Sequence, residues 1–71
     1  MAEQVRAEMV ANVLRVQVEA GQDVEAGETL MLLESMKMEI PVVPEHGGRV
    51  ARIAVTAGDV VQEGDLLVVL E

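Results

Sequence analysis

The clearest candidate for chemistry is Lys37, at the centre of residues 34–39, which read ESMKME. It is the single lysine among 71 residues, and the other basic residues are arginines. A lysine amine is a nucleophile that can be acylated, although an isolated lysine is more commonly a solvated surface residue. The methionines on both sides add apolar, adaptable side chains suited to contacts with several proteins. The segment therefore indicates a modification or recognition site.

Two other groups of polar residues carry little chemistry. His46 lies in residues 44–48, PEHGG, without a serine or cysteine in a catalytic pattern, which favours an exposed turn residue. Asp23, Glu25 and Glu28 lack the spacing of an EF-hand loop, so a solvated turn is favoured over a calcium site. The sequence contains no nucleophile–base pair or phosphate-binding loop, so we expect no catalytic site, no metal site and no enzyme activity.

Composition excludes several partner classes. The formal net charge is −8, from 13 acidic and 5 basic residues, which opposes binding to a phosphate backbone. The chain has no aromatic residue to stack on bases and no cysteine for a disulfide framework. Its apolar runs are too short to cross a membrane, and its N-terminus lacks a secretory signal pattern. We therefore expect a cytoplasmic protein that binds neither nucleic acid nor membranes.

An internal repeat predicts the elements that must position Lys37. Residues 11–34 align without a gap on residues 48–71, at an offset of 37 residues. Identical pairs include Arg15 with Arg52 and Leu33 with Leu70, and most other positions pair apolar with apolar. Two units are too few for a solenoid. The repeat therefore predicts one domain over residues 1–71 with pseudo-twofold symmetry.

Each copy of the repeat has the pattern of a β-structure. An alternating segment comes first, which predicts a strand with one buried face. The pattern Gly-x-x-Val-x-x-Gly follows, with glycines suited to turn positions that need φ > 0 and a valine that fits a short strand or inward plug. The alternating residues are Leu14, Val16 and Val18, matched by Ala51, Ile53 and Val55; the turn glycines are Gly21, Gly27, Gly58 and Gly64; the valines are Val24 and Val61.

Further strands complete each half. Nearly continuous apolar segments at 29–34 and 66–71 predict one strand each, and the extended offset pairs residues 3–8 with 39–43. Each half then has about four strands, which gives two packed sheets around one core. A helix over residues 2–20 is the local alternative, since apolar residues there also recur at helical spacing. The second copy argues against it, because Gly47 and Gly48 precede the alternating residues 49–55.

The connection between the halves is predicted to be a tight hairpin with Lys37 at its tip. One strand must end near Met36 and the next must begin near Met38. A tight hairpin normally contains Asn-Gly or Asp-Gly. Turning without glycine forces a non-glycine residue to positive φ, which is mildly strained and typical of functional positions.

Residues 34–38, ESMKM, resemble the attachment motif of biotin carboxyl carrier domains, Glu-(Ala/Ser)-Met-Lys-Met, in the biotinyl-lipoyl attachment domain family. The similarity covers nearly the whole chain, because the paired glycine units flank the motif as in that family. The resemblance implies an all-β hammerhead fold, a flattened β-barrel of two four-stranded antiparallel sheets. It also implies covalent biotin on Lys37, with methionines that favour biotin over lipoate. The residues implied in recognition by the ligase and partners are Glu34, Ser35, Met36, Met38 and Glu39.

In function, the resemblance implies a non-catalytic carrier of a biotin-dependent carboxylase, decarboxylase or transcarboxylase. A biotin protein ligase would modify Lys37, and the carrier would shuttle carboxyl groups between biotin carboxylase and carboxyltransferase subunits. The isolated chain is expected to be a monomer. The alternatives are a lipoyl carrier, which usually shows Asp-Lys-Ala or Asp-Lys-Val at the tip, and an unmodified assembly domain of the same fold.

The sequence departs from the family pattern at two positions. Glu8 and Ala11 lie roughly where the family usually has a proline and a glycine. We expect a less sharp turn before the second strand and no effect on the attachment site.

Overall fold

The computed structural model describes residues 2–71, and every regular element in that range is a β-strand. The predicted all-β class is therefore confirmed. The helix alternative for residues 2–20 is wrong, because two strands lie there. The strands are β1 (Glu3–Arg6), β2 (Ala11–Val16), β3 (Asp23–Glu25), β4 (Met31–Ser35), β5 (Met38–Val42), β6 (Gly47–Ile53), β7 (Val60–Val61) and β8 (Leu66–Leu70).

The strands form two four-stranded antiparallel sheets, as predicted. The strand orders are β1-β8-β6-β3 and β5-β4-β2-β7. The offset of the repeat relates β1 to β5, β2 to β6, β3 to β7 and β4 to β8, which converts one sheet order into the other. Each half of the chain contributes strands to both sheets, so neither half has a core of its own. The sequence repeat is thus a pseudo-twofold axis of a single barrel with extents of 32 × 18 × 18 Å.

The core is a pseudo-symmetric set of aliphatic side chains between the sheets. No polar or charged side chain is buried among residues 2–71. Complete burial of a valine or leucine side chain contributes about 1.5–3 kcal/mol, so the buried aliphatic side chains dominate the packing. Val24 on β3 and Val61 on β7 point inward, as predicted for the valine between the glycines. The other buried pairs are Val13 with Val50, Leu30 with Leu67, Met31 with Val68 and Leu33 with Leu70.

The alternating segments of β2 and β6 differ from the prediction in phase. Leu14 is 40% exposed and Ala51 is also exposed, although the alternation placed both on the buried face. The register of β2 with β4 shifts between Val13 and Arg15, and that of β6 with β8 shifts at the equivalent place. A bulge inserts one residue and changes which side chains point inward. Val13 is therefore buried before the bulge, and Val18 is buried after it.

The four predicted turn glycines all adopt left-handed backbone conformations, with φ of 93° at Gly21, 83° at Gly27, 97° at Gly58 and 91° at Gly64. The residue after each glycine accepts a hydrogen bond through its side-chain oxygen. The donor is the backbone N–H of the residue three positions before it, and this bond closes the turn. These bonds, at 2.8–3.1 Å, join Gln22 to Glu19, Glu28 to Glu25, Asp59 to Thr56 and Asp65 to Gln62. The polar residues after the glycines are thus turn caps.

The segment 44–48 is only partly the turn that the sequence predicts. Glu45 and His46 form a bend, but Gly47 and Gly48 belong to β6. Gly48 has φ of 143°, and a Cβ there would lie 2.6 Å from the backbone oxygen of Glu71. Its repeat counterpart Ala11 lies in β2 without a left-handed φ. The two copies therefore enter their long strands differently.

Candidate functional site

Lys37 lies at the tip of the hairpin that joins β4 to β5. The strands pair from Met31 with Val42 to Ser35 with Met38, which leaves a two-residue loop of Met36 and Lys37. Both loop residues have positive φ, 54° and 66°. Positive φ at both central positions is the requirement of a type I′ turn, which matches the right-handed twist of the strands. The predicted tight turn with non-glycine residues at positive φ is therefore present.

The tip projects its side chains into solvent. Met36 is 91% exposed and Met38 is 66% exposed, and Lys37 is exposed between them. Within residues 2–71 the one contact of up to 4 Å between a basic side-chain nitrogen and a carboxylate is from His46 to Glu45, at 3.8 Å, so no carboxylate of that range is paired with the Lys37 amine. Met36 and Met38 are therefore not core residues, and the hairpin can present an amine flanked by apolar side chains.

The stem of the hairpin brings two carboxylates together. Glu34 on β4 lies directly opposite Glu39 on β5, one pair below the Ser35–Met38 pair that closes the loop. Glu34 also pairs with Asn12 on β2, and Asn12 pairs with Val60 on β7. Directly opposite residues point to the same face of a sheet. The predicted recognition residues therefore form one continuous structure around Lys37.

The structure adds residues that sequence analysis did not select. Val10, directly before β2, is 56% exposed, and Val60 is 62% exposed. A separate cleft of about 160 Å³, lined in part by Met9, Ile40, Pro41 and Val43, lies along the part of β5 remote from the hairpin tip. The signal that could have identified Val60 is the repeat itself, because its counterpart in the first copy is Asp23.

Glu3 is a second polar residue that sequence analysis missed. Its carboxylate accepts the backbone N–H groups of Glu45 at 2.7 Å, His46 at 3.1 Å and Gly47 at 3.3 Å. Partial desolvation raises the pKa of the Glu3 carboxyl, but these three hydrogen bonds and the nearby His46 outweigh it and lower the pKa overall. Glu3 is paired with Leu70 near the chain termini, so it stabilises the 45–47 bend and is not part of the hairpin.

The other polar candidates have structural explanations. His46 is exposed, with 81% of its side chain accessible, as predicted. The Glu28 carboxylate caps its turn through the N–H of Glu25 at 3.0 Å. Across residues 2–71 no cluster of three or more potential metal ligands occurs. In the same range, no helix has the length and apolar character to cross a membrane.

Comparison with known proteins places this hairpin in a family. A family model described as "Biotin-requiring enzyme" matches residues 3–70. The chain is 54% identical over 70 residues to the biotinylated protein TB7.3 homolog of Mycobacterium leprae, covering 99% of both chains. It is 44% identical over 63 residues to the biotin/lipoyl attachment protein of Bacillus subtilis, covering 89% of this chain and 86% of that one.

A solved structure has the same fold. The urea carboxylase of Kluyveromyces lactis matches with a TM-score of 0.93 and 32% identity, over 100% of this chain and 6% of that chain. The similarity therefore concerns one small part of a much longer protein. Since the family match extends from the first strand to the last, this chain belongs to the biotin/lipoyl attachment domain family.

Proposed function

We propose that the chain is a biotin carrier domain and that the Lys37 side chain bears biotin through an amide bond. The observation that carries the proposal is the position of the single lysine of the sequence at the tip of an exposed type I′ hairpin. Both flanking methionines are largely exposed, which is unusual for such apolar side chains and fits recognition by another protein.

The geometry fits covalent attachment of biotin. The Lys37 side chain is exposed, so its amine can enter the active site of a second protein. In the proposed step the amine attacks the acyl carbon of biotinyl-adenylate. The amide C–N bond forms, the bond between the acyl carbon and the phosphate oxygen breaks, AMP leaves, and the ligase takes the proton from the amine. This chain supplies the nucleophile, and the ligase supplies the activation.

The hairpin also explains how a small barrel serves as a carrier. Met31 and Leu33 on β4 are fully or almost fully buried, which anchors the stem in the core while the tip extends from it. When attached, biotin supplies a ureido nitrogen that accepts a carboxyl group at one site and releases it at another. The chain holds that group on an exposed arm, which raises its effective concentration at both sites.

The proposed partners are a biotin protein ligase and the biotin carboxylase and carboxyltransferase components of a carboxylase. We propose that the domain itself catalyses no step, in keeping with a tip that presents one amine. The single-domain organisation, the monomeric state and the cytoplasmic location that we expect from the sequence stay predictions.

The test is reconstitution with a purified biotin ligase, ATP and biotin, followed by intact mass. We expect one biotinyl group on the wild type and none on Lys37→Ala. A matched control moves the lysine by one position in the double variant Lys37→Met/Met38→Lys, which keeps the composition of the motif. Addition of a lipoyl group by a lipoate ligase alone would favour the lipoyl carrier, and no addition by either ligase would favour an unmodified assembly domain.

A further inference from the structure

The pseudo-twofold axis provides an internal control for surface residues. Two positions separated by 37 residues occupy equivalent places on the same backbone, but only one end of the barrel carries the Lys37 hairpin. A surface used for binding at that end should differ from its symmetric counterpart in side-chain character. The large hydrophobic side chains that are exposed within residues 2–71 are Met9, Val10, Leu14, Met36, Met38, Val43 and Val60.

Val10 and Val60 both lie near Asn12 on the outer face of the sheet that contains the Lys37 hairpin. Val60 pairs with Asn12, which in turn pairs with Glu34 in the hairpin stem. Ala11 and Val13 are buried, so alternation along β2 places Asn12 and the preceding Val10 on the outer face. Val60 lies two strands from Glu34, which is about 10 Å at the usual strand spacing.

The equivalent positions at the other end of the barrel are not large apolar residues. The counterpart of Val60 is Asp23, and the counterpart of Val10 is Gly47. Asp23 pairs with Arg49 as Val60 pairs with Asn12, so the backbone is equivalent while the side chains differ. The fold therefore does not require valine at these positions. Exposed apolar side chains that are grouped on one face mark interaction sites, and contact with a partner would explain these two valines.

Glu39, Glu34, Asn12 and Val60 form one row of paired residues across the sheet. The charges in this row indicate what kind of partner fits. Glu34 and Glu39 are directly opposite, and the row continues to Asn12 and Val60 without a basic residue. At the other end Arg49 lies between Asp23 and Glu71, and Arg49 and Glu71 exchange backbone hydrogen bonds of 2.8 and 2.7 Å. Like charges directly opposite are unfavourable in a sheet. A basic side chain from a partner would relieve that repulsion.

We propose that Val10 and Val60, together with the exposed motif methionines, form an apolar docking surface for the ligase that modifies Lys37. The surface of that ligase would be apolar, with a basic group opposite Glu34 and Glu39. This inference rests on the proposed function. It extends ligase recognition beyond residues 34–39 to two residues that are distant in sequence. We call the side chains of Val10, Met36, Met38 and Val60 the tip surface.

The ligase is the occupant because its chemistry takes place at the lysine nitrogen itself. The ligase must bring the hairpin to its bound acyl group, so the body of the domain comes close. An interface of standard size, about 800 Å² per partner, extends beyond the loop to the hairpin stem, and Val60 lies about 10 Å from Glu34 in that stem. Carboxylating and carboxyl-transferring sites meet a group at the end of a longer arm, so the barrel can remain further away.

Steady-state ligation kinetics test the tip surface. The variant Val10→Ser/Val60→Ser removes the two apolar groups outside the motif. We expect KM to rise by about tenfold with kcat unchanged, since exposed contacts at an interface contribute to binding and not to the acyl transfer. The matched control Val43→Ser changes a 44% exposed valine directly after β5, remote from the tip, and its KM should stay within about twofold of wild type.

A second variant distinguishes a lost contact from misfolding as the cause of a raised KM. Val60→Asp installs the residue that the equivalent strand already carries at Asp23, and it should melt within a few degrees of wild type while showing the raised KM. Glu34→Gln/Glu39→Gln should reduce the increase of KM with salt, because two charges would no longer attract the basic group. An unchanged salt dependence would overturn the basic partner group.

The outcomes separate the inference from the proposed function. A wild-type chain that accepts no biotin contradicts the proposed function. If the wild-type chain accepts biotin and Val10→Ser/Val60→Ser has the same KM as wild type, the tip surface is overturned. Normal ligation of that variant, combined with impaired carboxyl transfer by its biotinylated form, would also overturn the inference, because the occupant would then be a carboxylase component.

Discussion

Met36 and Lys37 occupy the two central positions of one type I′ turn, with φ of 54° and 66°. Neither residue type favours that region, which costs a non-glycine residue about 1–2 kcal/mol. The turn persists because β4 is buried at Met31 and Leu33, and the five residue pairs between β4 and β5 fix the register of β5 against it. The core thus holds the tip in a conformation that its own residues disfavour.

The strain at the tip predicts that an ideal turn sequence stabilises the fold. Met36→Asn/Lys37→Gly installs the preferred type I′ pair and should raise the free energy of unfolding by about 1–2 kcal/mol. Urea denaturation measures the change. Lys37→Ala is the matched control, because it removes the amine but keeps the φ cost, and it should lie within about 0.5 kcal/mol of wild type. An unstabilised Asn-Gly variant would contradict the inferred strain.

Replacement of glycine by alanine should lower the free energy of unfolding by different amounts at Gly48 and at Gly58. Gly48→Ala places a Cβ 2.6 Å from the backbone oxygen of Glu71, whereas Gly58→Ala meets nothing within 4 Å. Both glycines have positive φ. Gly58→Ala should therefore lose about 1–2 kcal/mol from backbone conformation alone. Gly48→Ala should lose more than about 3 kcal/mol, because β6 and β8 must separate locally.

The measurement is urea unfolding of both alanine variants in parallel. Equal losses would contradict the close approach of β6 to the C-terminal residue, since the φ cost is shared. Gly21→Ala, at the position equivalent to Gly58 and also open, should behave as Gly58→Ala does.

Glu3 predicts a pH-dependent contribution to stability. Although partial desolvation raises its pKa, three backbone N–H groups and His46 lower the folded-state pKa below the ordinary value of 4.5. The ionised carboxylate therefore stabilises the fold above that ordinary value, and the contribution is lost as pH falls through the lowered pKa. Glu3→Gln should be less stable than wild type at pH 7, and the difference should shrink below about pH 4.

Thermal or urea unfolding across that pH range checks the Glu3 prediction. Glu63→Gln removes an exposed carboxylate from a turn and should stay within about 0.5 kcal/mol of wild type at pH 7. A difference between wild type and Glu3→Gln that is constant with pH would show that the side-chain shape, and not its charge, matters.

Much of the fold follows from the repeat. The spacing of Gly21 and Gly27, repeated at Gly58 and Gly64, predicts the turns and the inward valines of β3 and β7. The offset of 37 residues predicts which strands are equivalent, and the absence of glycine at Met36 and Lys37 predicts positive φ at the tip. These features are local or symmetric, so pattern alone specifies them.

The rest depends on contacts that alternation does not encode. The bulge after Val13 moves Leu14 to the surface, and a bulge depends on how β2 meets β4. The contacts of Glu3 join residues 42–44 positions apart, so no local pattern reveals them. Val60 is beside the hairpin because β7 pairs with β2, a relationship that only the sheet order shows.

The central claim is that Lys37 is the biotin attachment point. The most direct measurement is fragment mass mapping of the chain co-expressed with a biotin ligase in biotin-supplied cells, alongside Lys37→Arg. The account predicts one biotinyl group located on Lys37 in the wild type and an unmodified Lys37→Arg variant. A biotinyl group on any other residue, or its retention in Lys37→Arg, would contradict the account.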